Sequence, residues 1–148
     1  MLPRKILLAT DGSESAQPAE VMAVDFANLA GAAEVTVMTV VRPMDFSRGI
    51  GHVPRPAGEL DEAQAMLDVV AERLRGRLSG QGARVGTKVV HAWSPAGAIA
   101  SMAHEGGECS LIVVGSRGHG GFGSLVLGSV STGVLHEAHC PVLVVKPE

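Results

Sequence analysis

The chain alternates between short apolar runs and longer segments in which apolar residues recur every three or four positions. The short runs show little of the strict alternation that marks a half-exposed strand. Continuous apolar runs of this length are typical of parallel strands that are covered on both faces. We therefore predict five strands, at residues 4–10, 34–41, 83–91, 111–114 and 142–146.

Helical patterns fill the intervals between these strands. A serine cap is expected at Ser13 or Ser15 for the first helix, which Gly31 would end, and a further cap is expected at Ser94, directly before Pro95. Residues 59–78 carry acids early and arginines late, as an amphipathic helix aligned with its dipole would. The predicted helices lie at residues 15–30, 59–78, 94–105 and 128–137.

Because strand and helix alternate along the whole chain, the sequence predicts an α/β fold with right-handed connections. The expected architecture is a single-domain, three-layer sandwich with about five parallel strands. A chain of 148 residues is the size of one domain and is long enough to bury a core without disulfides or metals. Residues 1–148 are therefore expected to form one domain.

Residues 42–58 break the alternation, because they contain three prolines, three glycines and three arginines and show no periodicity. A connection of this length is unusual in a compact domain. Two interpretations stay open: the segment is a lid or interaction loop, or it is a surface insertion without a role.

Composition and charge narrow the function classes. The formal net charge is −3, which gives no general attraction to nucleic acid or to an anionic membrane, so neither partner is expected. The two cysteines, Cys109 and Cys140, lack the spacing of a metal or thioredoxin-like site. No signal peptide or membrane-length apolar run is recognisable. We expect a cytoplasmic protein with reduced thiols.

A glycine-rich stretch follows the fourth predicted strand. A loop that directs several backbone N–H groups at one anion needs residues that lack Cβ and can take positive φ, and glycine meets both needs. Ser129 and Ser131 add hydroxyls, and Arg117 and His119 add positive charge. The loop holds Gly115, Gly118, Gly120, Gly121 and Gly123, and it ends at Gly128.

The helix predicted to begin at Gly128 strengthens this interpretation, because the unpaired N–H groups of its first turn and its dipole would face the same anion. We interpret the stretch as a phosphate-binding loop. The alternative is a flexible glycine loop that only joins a strand to a helix. Asp11, which follows the first predicted strand, has two interpretations as well: a carboxylate that faces a ligand, or an acceptor within its own turn.

The spacing Gly115-x-x-Gly118, nine residues, then Gly128-Ser129 resembles the nucleotide-binding signature of the universal stress protein family, in its ATP-binding branch. The resemblance extends to residues 5–13, which are similar to the family's opening strand and acidic turn, and to residues 140–145, which are similar to its closing strand. The stretch is not a Walker A loop, because no Gly-Lys-Ser/Thr follows, and it lacks a Rossmann fingerprint.

This resemblance implies a strand order of 3-2-1-4-5, which would bring Asp11 beside Gly115. It implies ATP as the ligand, with Asp11 against the adenosine and the backbone at the end of the second strand against adenine. Val114 and Gly115 would border the ribose, and Arg117 stands at a position that the family varies. The implied binding residues are Ala9, Thr10, Asp11, Val40, Val41, Val114, Gly115, Arg117, Gly118, Gly128, Ser129, Val130 and Ser131.

Phosphoryl transfer has little support in the sequence, because no loop lysine or second acidic residue can be assigned. Any Mg²⁺ would be held mainly by the phosphates, so no catalytic or metal-binding residue is assigned. We expect a nucleotide-responsive regulatory module that is read by an unidentified protein partner. The alternatives are a slow ATPase or self-phosphorylating protein that uses Ser129 or Ser131, and a dimerisation module without nucleotide function.

Two further expectations concern the end of the chain. His136, His139 and Cys140 form the densest cluster of metal-ligand types, but residues at a helix end more often cap carbonyls and fill a core. Residues 142–145 form a short apolar edge that invites pairing with a second copy. The family resemblance also implies a homodimer through this strand.

Overall fold

The computed structural model describes residues 2–31, 34–43, 58–79, 82–105, 109–117 and 127–148. Its strands are β1 (Lys5–Ala9), β2 (Glu34–Val41), β3 (Arg84–His91), β4 (Leu111–Gly115) and β5 (Val142–Val145). Its helices are α1 (Gln17–Ala30), α2 (Glu59–Arg75), α3 (Pro95–Glu105) and α4 (Ser129–Glu137), with a 3₁₀ turn at Glu14–Ala16. Most of the unusual segment at residues 42–58 lies outside the described residues.

The strands form one parallel sheet in the order β3-β2-β1-β4-β5. This confirms both the α/β prediction and the strand order implied by the family resemblance. The central strand β1 pairs with β2 and β4, so that Ala9 lies between Met38 and Val114. Strands β3 and β5 lie at the two edges.

Two apolar cores cover the two faces of the sheet, which explains why β1 and β4 carry unbroken apolar runs. On one face Ile6 and Leu8 of β1 pack with α1 and α2, and on the other face Leu7 and Ile112 pack with α3 and α4. Successive strand residues point to opposite faces, so a strand between two helix layers must be apolar at every position.

The helix boundaries differ from the prediction at two places. The 3₁₀ turn at Glu14–Ala16 moves the start of α1 to Gln17, so neither Ser13 nor Ser15 makes the expected cap bond, and their hydroxyl oxygens instead lie 3.0 Å apart. Helix α2 ends at Arg75 rather than at residue 78, because Gly76 interrupts it. The predicted cap at Ser94 is confirmed, since its Oγ accepts the N–H of Gly97 at 3.1 Å.

A buried ion pair joins α1 to α2. Glu20 is only 2% exposed, and the Arg73 guanidinium donates to both of its carboxylate oxygens at 2.9 Å. Burial raises the pKa of Glu20, although the nearby Arg73 favours the ionised form. A buried charge that loses its partner is costly, so each member of the pair depends on the other.

Replacing Arg73 with methionine is expected to lower the free energy of unfolding by about 3 kcal/mol, because the Glu20 carboxylate stays buried without its partner. Arg73 opposes the increase that burial causes in the pKa of Glu20, so the folded variant without Arg73 binds a proton at Glu20 more readily than the folded natural chain does. The loss should therefore shrink as the pH falls from about 8 towards 5. Urea denaturation across this pH range measures the effect.

The control is Glu72→Gln, which breaks an exposed ion pair with Arg75 on the same helix. This change should cost less than about 1 kcal/mol at every pH. Equal losses for the two variants would contradict the assignment of the energy to burial.

Helices α3 and α4 approach closely at a glycine. A Cβ built on Gly133 would lie 2.6 Å from the Cβ of Ala96, and neither atom can rotate away. The close approach fixes α4, whose first turn contains the predicted binding residues. Gly133→Ala is therefore expected to destabilise the chain by about 1–2 kcal/mol through overpacking.

The sign of this effect is informative, because an alanine in a helix interior normally gains about 0.5–1 kcal/mol over glycine. Thr132→Ala, at an exposed position of the same helix, is the control and should be neutral or stabilising. Thermal unfolding measures both variants. A higher unfolding midpoint for Gly133→Ala would contradict the close packing.

Candidate functional site

The carboxyl ends of β1 and β4 lie side by side in the middle of the sheet. Ala9 is paired with Val114, so Asp11 and Gly115 follow directly at neighbouring strand ends, as expected. Open parallel sheets bind ligands at such a point, where the chain connections diverge to the two sides. A Cβ added to Gly115 would lie 3.8 Å from the Cα of Ala16 and from the carbonyl oxygen of Ser15, so this strand end also lies against the entrance to α1.

The turn after β1 is held by its own side chains. The Thr10 hydroxyl accepts the N–H of Gly12 at 3.1 Å, and the Asp11 carboxylate accepts the N–H of Ser13 at 2.9 Å. Gly12 has a φ of 75°, and a Cβ there would lie 2.6 Å from the Cγ of Met66. The structure thus shows Asp11 as a turn acceptor, which fixes its carboxylate at the end of β1.

The end of β2 extends beyond the end of β1. The Met38 carbonyl accepts the N–H of Thr10 on the β1 side, and the Val41 carbonyl accepts the N–H of Ala92 on the β3 side. Alternate strand residues direct their backbone groups to alternate sides. Val40 therefore directs its N–H and C=O towards the β1 side, above the point where β1 ends.

The start of α4 is fastened to the residue after β4. The N–H of Gly128 donates to the Ser116 carbonyl at 2.7 Å. The Ser131 hydroxyl, in a residue only 2% exposed, lies 3.4 Å from the same carbonyl and 3.1 Å from that of Gly128. Ser131 thus anchors the first turn through its side chain. The N–H groups of Ser129, Val130 and Ser131 have no acceptor within an α-helix and point out of its N-terminus.

The expected reason for glycine in this stretch is only partly right. Gly128 has a φ of −74° and a ψ of 169°, and Gly115 is not among the described glycines with positive φ, so neither position needs the left-handed conformation. The requirement at Gly128 is close approach, because a Cβ there would lie 3.2 Å from the Ser116 carbonyl oxygen. Gly118 and residues 119–126 lie outside the described part of the chain.

Sequence reasoning missed Ser116. This residue is 1% exposed, and its N–H donates to the Val145 carbonyl at 2.8 Å while its own carbonyl accepts from α4. Its Oγ is buried and has no hydrogen-bond partner among the described residues, and the same holds for the Nε of the adjacent Arg117. Buried polar groups are normally paired, so two unpaired ones beside a helix N-terminus indicate a site for a polar ligand. No pattern distinguishes a serine between glycine and arginine from an ordinary loop residue.

Two other expectations concern metals and membranes. Within the described ranges, no three His, Cys, Asp or Glu side chains are placed to hold a metal ion, and the His139 ring instead lies 5.9 Å from that of His104. None of the helices in those ranges is long and apolar enough to cross a bilayer.

The assembled site has two chemically different parts. The α4 N-terminus, Ser116 and Arg117 offer donors suited to an anion. The backbone of Val40 and the carboxylate of Asp11 offer hydrogen-bonding groups on the other side of the β1 end. Such an arrangement suits an elongated ligand with an anionic end and a polar end, and its described residues fit the phosphates and the nucleoside of a nucleotide.

Comparison with known proteins gives matches over nearly the whole chain. The model of the universal stress protein family matches residues 3–146. A universal stress protein of Thermus aquaticus is 36% identical over 146 residues, which are 97% of this chain and 98% of the relative. Universal stress protein Rv2624c of Mycobacterium tuberculosis is 30% identical over 148 residues, which are 97% of this chain and 48% of the relative. The chain spans about half the length of the Mycobacterium tuberculosis relatives that it matches.

Solved structures show the same architecture. The structure of hypothetical protein MJ0577 has a TM-score of 0.80 and 29% identity, covering 100% of this chain and 99% of that one. The Archaeoglobus fulgidus universal stress protein in complex with dAMP has a TM-score of 0.68 and 24% identity, covering 99% of this chain and 100% of that one. At that identity the second likeness concerns the fold alone.

Proposed function

Because the chain belongs to the universal stress protein family, we propose that it is a nucleotide-responsive regulatory module that binds ATP at the carboxyl edge of its sheet. The observation that carries the proposal is a pair of buried donors beside the start of α4, Ser116 Oγ and Arg117 Nε, for which the described part of the chain supplies no partner. An anionic ligand group would satisfy them. We place this activity in the cytoplasm, where ATP is available, and in the response to stress for which the family is named.

The ligand would lie across the end of β1. Adenine would meet the backbone of Val40 and Val41, and Asp11 would contact the nucleoside with Ala9 and Thr10 beside it. Val114 and Gly115 would border the ribose. The phosphates would be held by Arg117, Gly118, Gly128, Ser129, Val130 and Ser131, with the Ser131 contribution coming from its N–H because its hydroxyl faces two carbonyls.

The relatives support an adenine nucleotide. A protein of this fold has been solved in complex with dAMP, which carries the adenine ring and one phosphate. The longer phosphate chain of ATP is our extension. It rests on Arg117 and the helix N-terminus, because a guanidinium and free backbone N–H groups gain most from added negative charge.

Binding is a better description of this site than catalysis. Residues 111–131 contain no lysine, aspartate or glutamate, so Mg²⁺ bound with ATP would be held mainly by the phosphates. Backbone N–H groups and a helix dipole stabilise bound phosphates and a transition state about equally, and such uniform binding does not raise the chemical rate. The output would be a change at the protein surface that a partner protein reads.

Arg117→Met is expected to weaken ATP binding by roughly 10- to 100-fold, the range for loss of one charge-assisted hydrogen bond. Adenosine, which lacks phosphate, should bind to this variant as it does to the natural chain. Asp11→Ala should weaken adenosine and ATP alike. Isothermal titration with ATP, ADP, AMP and adenosine measures all four ligands.

Arg84→Met is the matched control, because it removes the same charge at the amino end of β3. The candidate site lies at the other, carboxyl ends of the strands. It should leave every affinity unchanged. Equal ATP affinity in the Arg117 and Arg84 variants would contradict the phosphate site. Absence of binding by the natural chain for all four ligands would favour a dimerisation module without nucleotide function.

We also propose that the protein is a homodimer through β5. This strand lies at the edge of the sheet, and no strand within the described ranges pairs with its outer side, which therefore offers backbone groups to a second copy. Ile112 and Ser116 donate to the carbonyls of Pro141 and Val145, so the alternate residues Val142 and Val144 direct their backbone groups away from β4.

Val144→Pro should convert the dimer to a monomer, because it removes an outward N–H without removing a bond to β4. Val144→Ala shortens the same side chain but keeps the N–H, and it should remain dimeric. Sedimentation equilibrium measures the mass, and circular dichroism checks the fold. A natural chain that is monomeric at every concentration, or a dimeric Val144→Pro, would exclude this interface.

A further inference from the structure

The two cysteines lie at the amino ends of neighbouring strands, whereas the candidate nucleotide site lies at the carboxyl ends. Cys109 comes shortly before β4 and Cys140 shortly before β5, and both pack against the apolar core on the α3 and α4 side. They are the only cysteines in the chain, and both are free thiols. Their chain spacing gave no reason to pair them, because it is the parallel pairing of β4 and β5 that brings them together.

The contacts of the two sulfurs are specific. The Cys109 thiol donates to the Leu111 carbonyl oxygen, with Sγ and oxygen 3.0 Å apart, and Sγ also lies 3.5 Å from the Lys5 carbonyl oxygen. Both cysteines pack against the same apolar core, and they are close enough that each affects the pKa of the other. Within the described residues no third ligand joins them to make a metal site.

We propose that Cys109 and Cys140 form a reversible intramolecular disulfide, made by exchange with a small-molecule disulfide such as glutathione disulfide. Cys140 sulfur, after losing its proton to solvent, attacks one sulfur of the small disulfide and releases one thiol. Cys109 sulfur, after losing its own proton, then attacks Cys140 sulfur and releases the second thiol. The protein loses two electrons and two protons, and the small disulfide gains them.

The order of attack follows from the surroundings of each sulfur. Burial raises the pKa of Cys109 to about 11, and the neighbouring Cys140 adds to this increase. Burial raises the pKa of Cys140 as well, but the neighbouring Cys109 and the Ile112 backbone oppose the increase. The only hydrogen of the Cys109 thiol is donated to the Leu111 carbonyl, so Cys140 is the sulfur that attacks first. Raised pKa values make the exchange slow, as suits a response to sustained oxidation.

The disulfide would close a loop that contains β4, the glycine-rich stretch and α4. Cross-linking the ends of such a segment restricts the unfolded chain and so favours the folded one. The proposal does not depend on nucleotide binding, since its evidence lies at the other edge of the sheet. Failure of one proposal leaves the other intact.

The test is to incubate the purified full chain with glutathione disulfide and to follow its intact mass, free thiols and thermal unfolding. The expected product is a chain that is lighter by two hydrogens and has no covalent link to a second chain, with a Cys109–Cys140 peptide after proteolysis. The unfolding midpoint should rise by roughly 5–10 °C. Dithiothreitol should reverse every change.

The single variants separate the two steps. Cys109→Ala and Cys140→Ala should each stop with one glutathione attached or with none, and neither should gain stability. The double variant, Cys109→Ala with Cys140→Ala, should show no response to the oxidant. Glutathione retained on the natural chain, cross-links between chains, thiols that stay free, or an unchanged unfolding midpoint would overturn the proposal.

Discussion

The early end of β1 between two neighbours that extend further in the same direction is the constraint on which the candidate site depends. The chain leaves the sheet after Ala9, whereas β2 continues to Val41 and β4 to Gly115. The turn at Asp11 and Gly12 can leave so sharply because Gly12 takes a φ of 75° beneath Met66. Backbone groups that β1 would otherwise have paired then face the space above its end. A ligand bound there would replace the missing strand contacts.

The second part of the site depends on how α4 is placed. Its N-terminus is held by the Ser116 carbonyl, which faces both the Gly128 N–H and the buried Ser131 hydroxyl, and its middle lies close to Ala96 at Gly133. The electrostatic effect of a helix dipole falls off beyond the first turn, so the first turn of α4 must be placed accurately for the dipole to act on a bound anion. The same contacts that stabilise the fold therefore orient the N–H groups that would meet the phosphates.

Most of the strands were predictable because they are apolar runs between polar turns, and β2 was predicted with its observed bounds, Glu34–Val41. The strand order was not readable from periodicity and came from the family resemblance. Cap and conformation details were less predictable: a 3₁₀ turn displaced the start of α1, and Gly128 serves close approach rather than positive φ. Ser116 and the Glu20–Arg73 pair were missed, because only tertiary contacts distinguish them from surface residues.

The segment between Cys109 and Cys140 contributes residues to both the amino ends and the carboxyl ends of the strands. The thiols at the amino ends and the candidate site at the carboxyl ends could therefore influence each other through it. At the carboxyl edge Ser116 donates to the Val145 carbonyl, and at the amino edge Ile112 donates to that of Pro141. Between them lie fully buried residues such as Ile112 and Val113, and packed cores move between discrete arrangements rather than bending gradually. Thiol chemistry at the amino ends of β4 and β5 would therefore change the stability of this segment, through the unfolded chain, and leave the geometry of the candidate nucleotide site as it is.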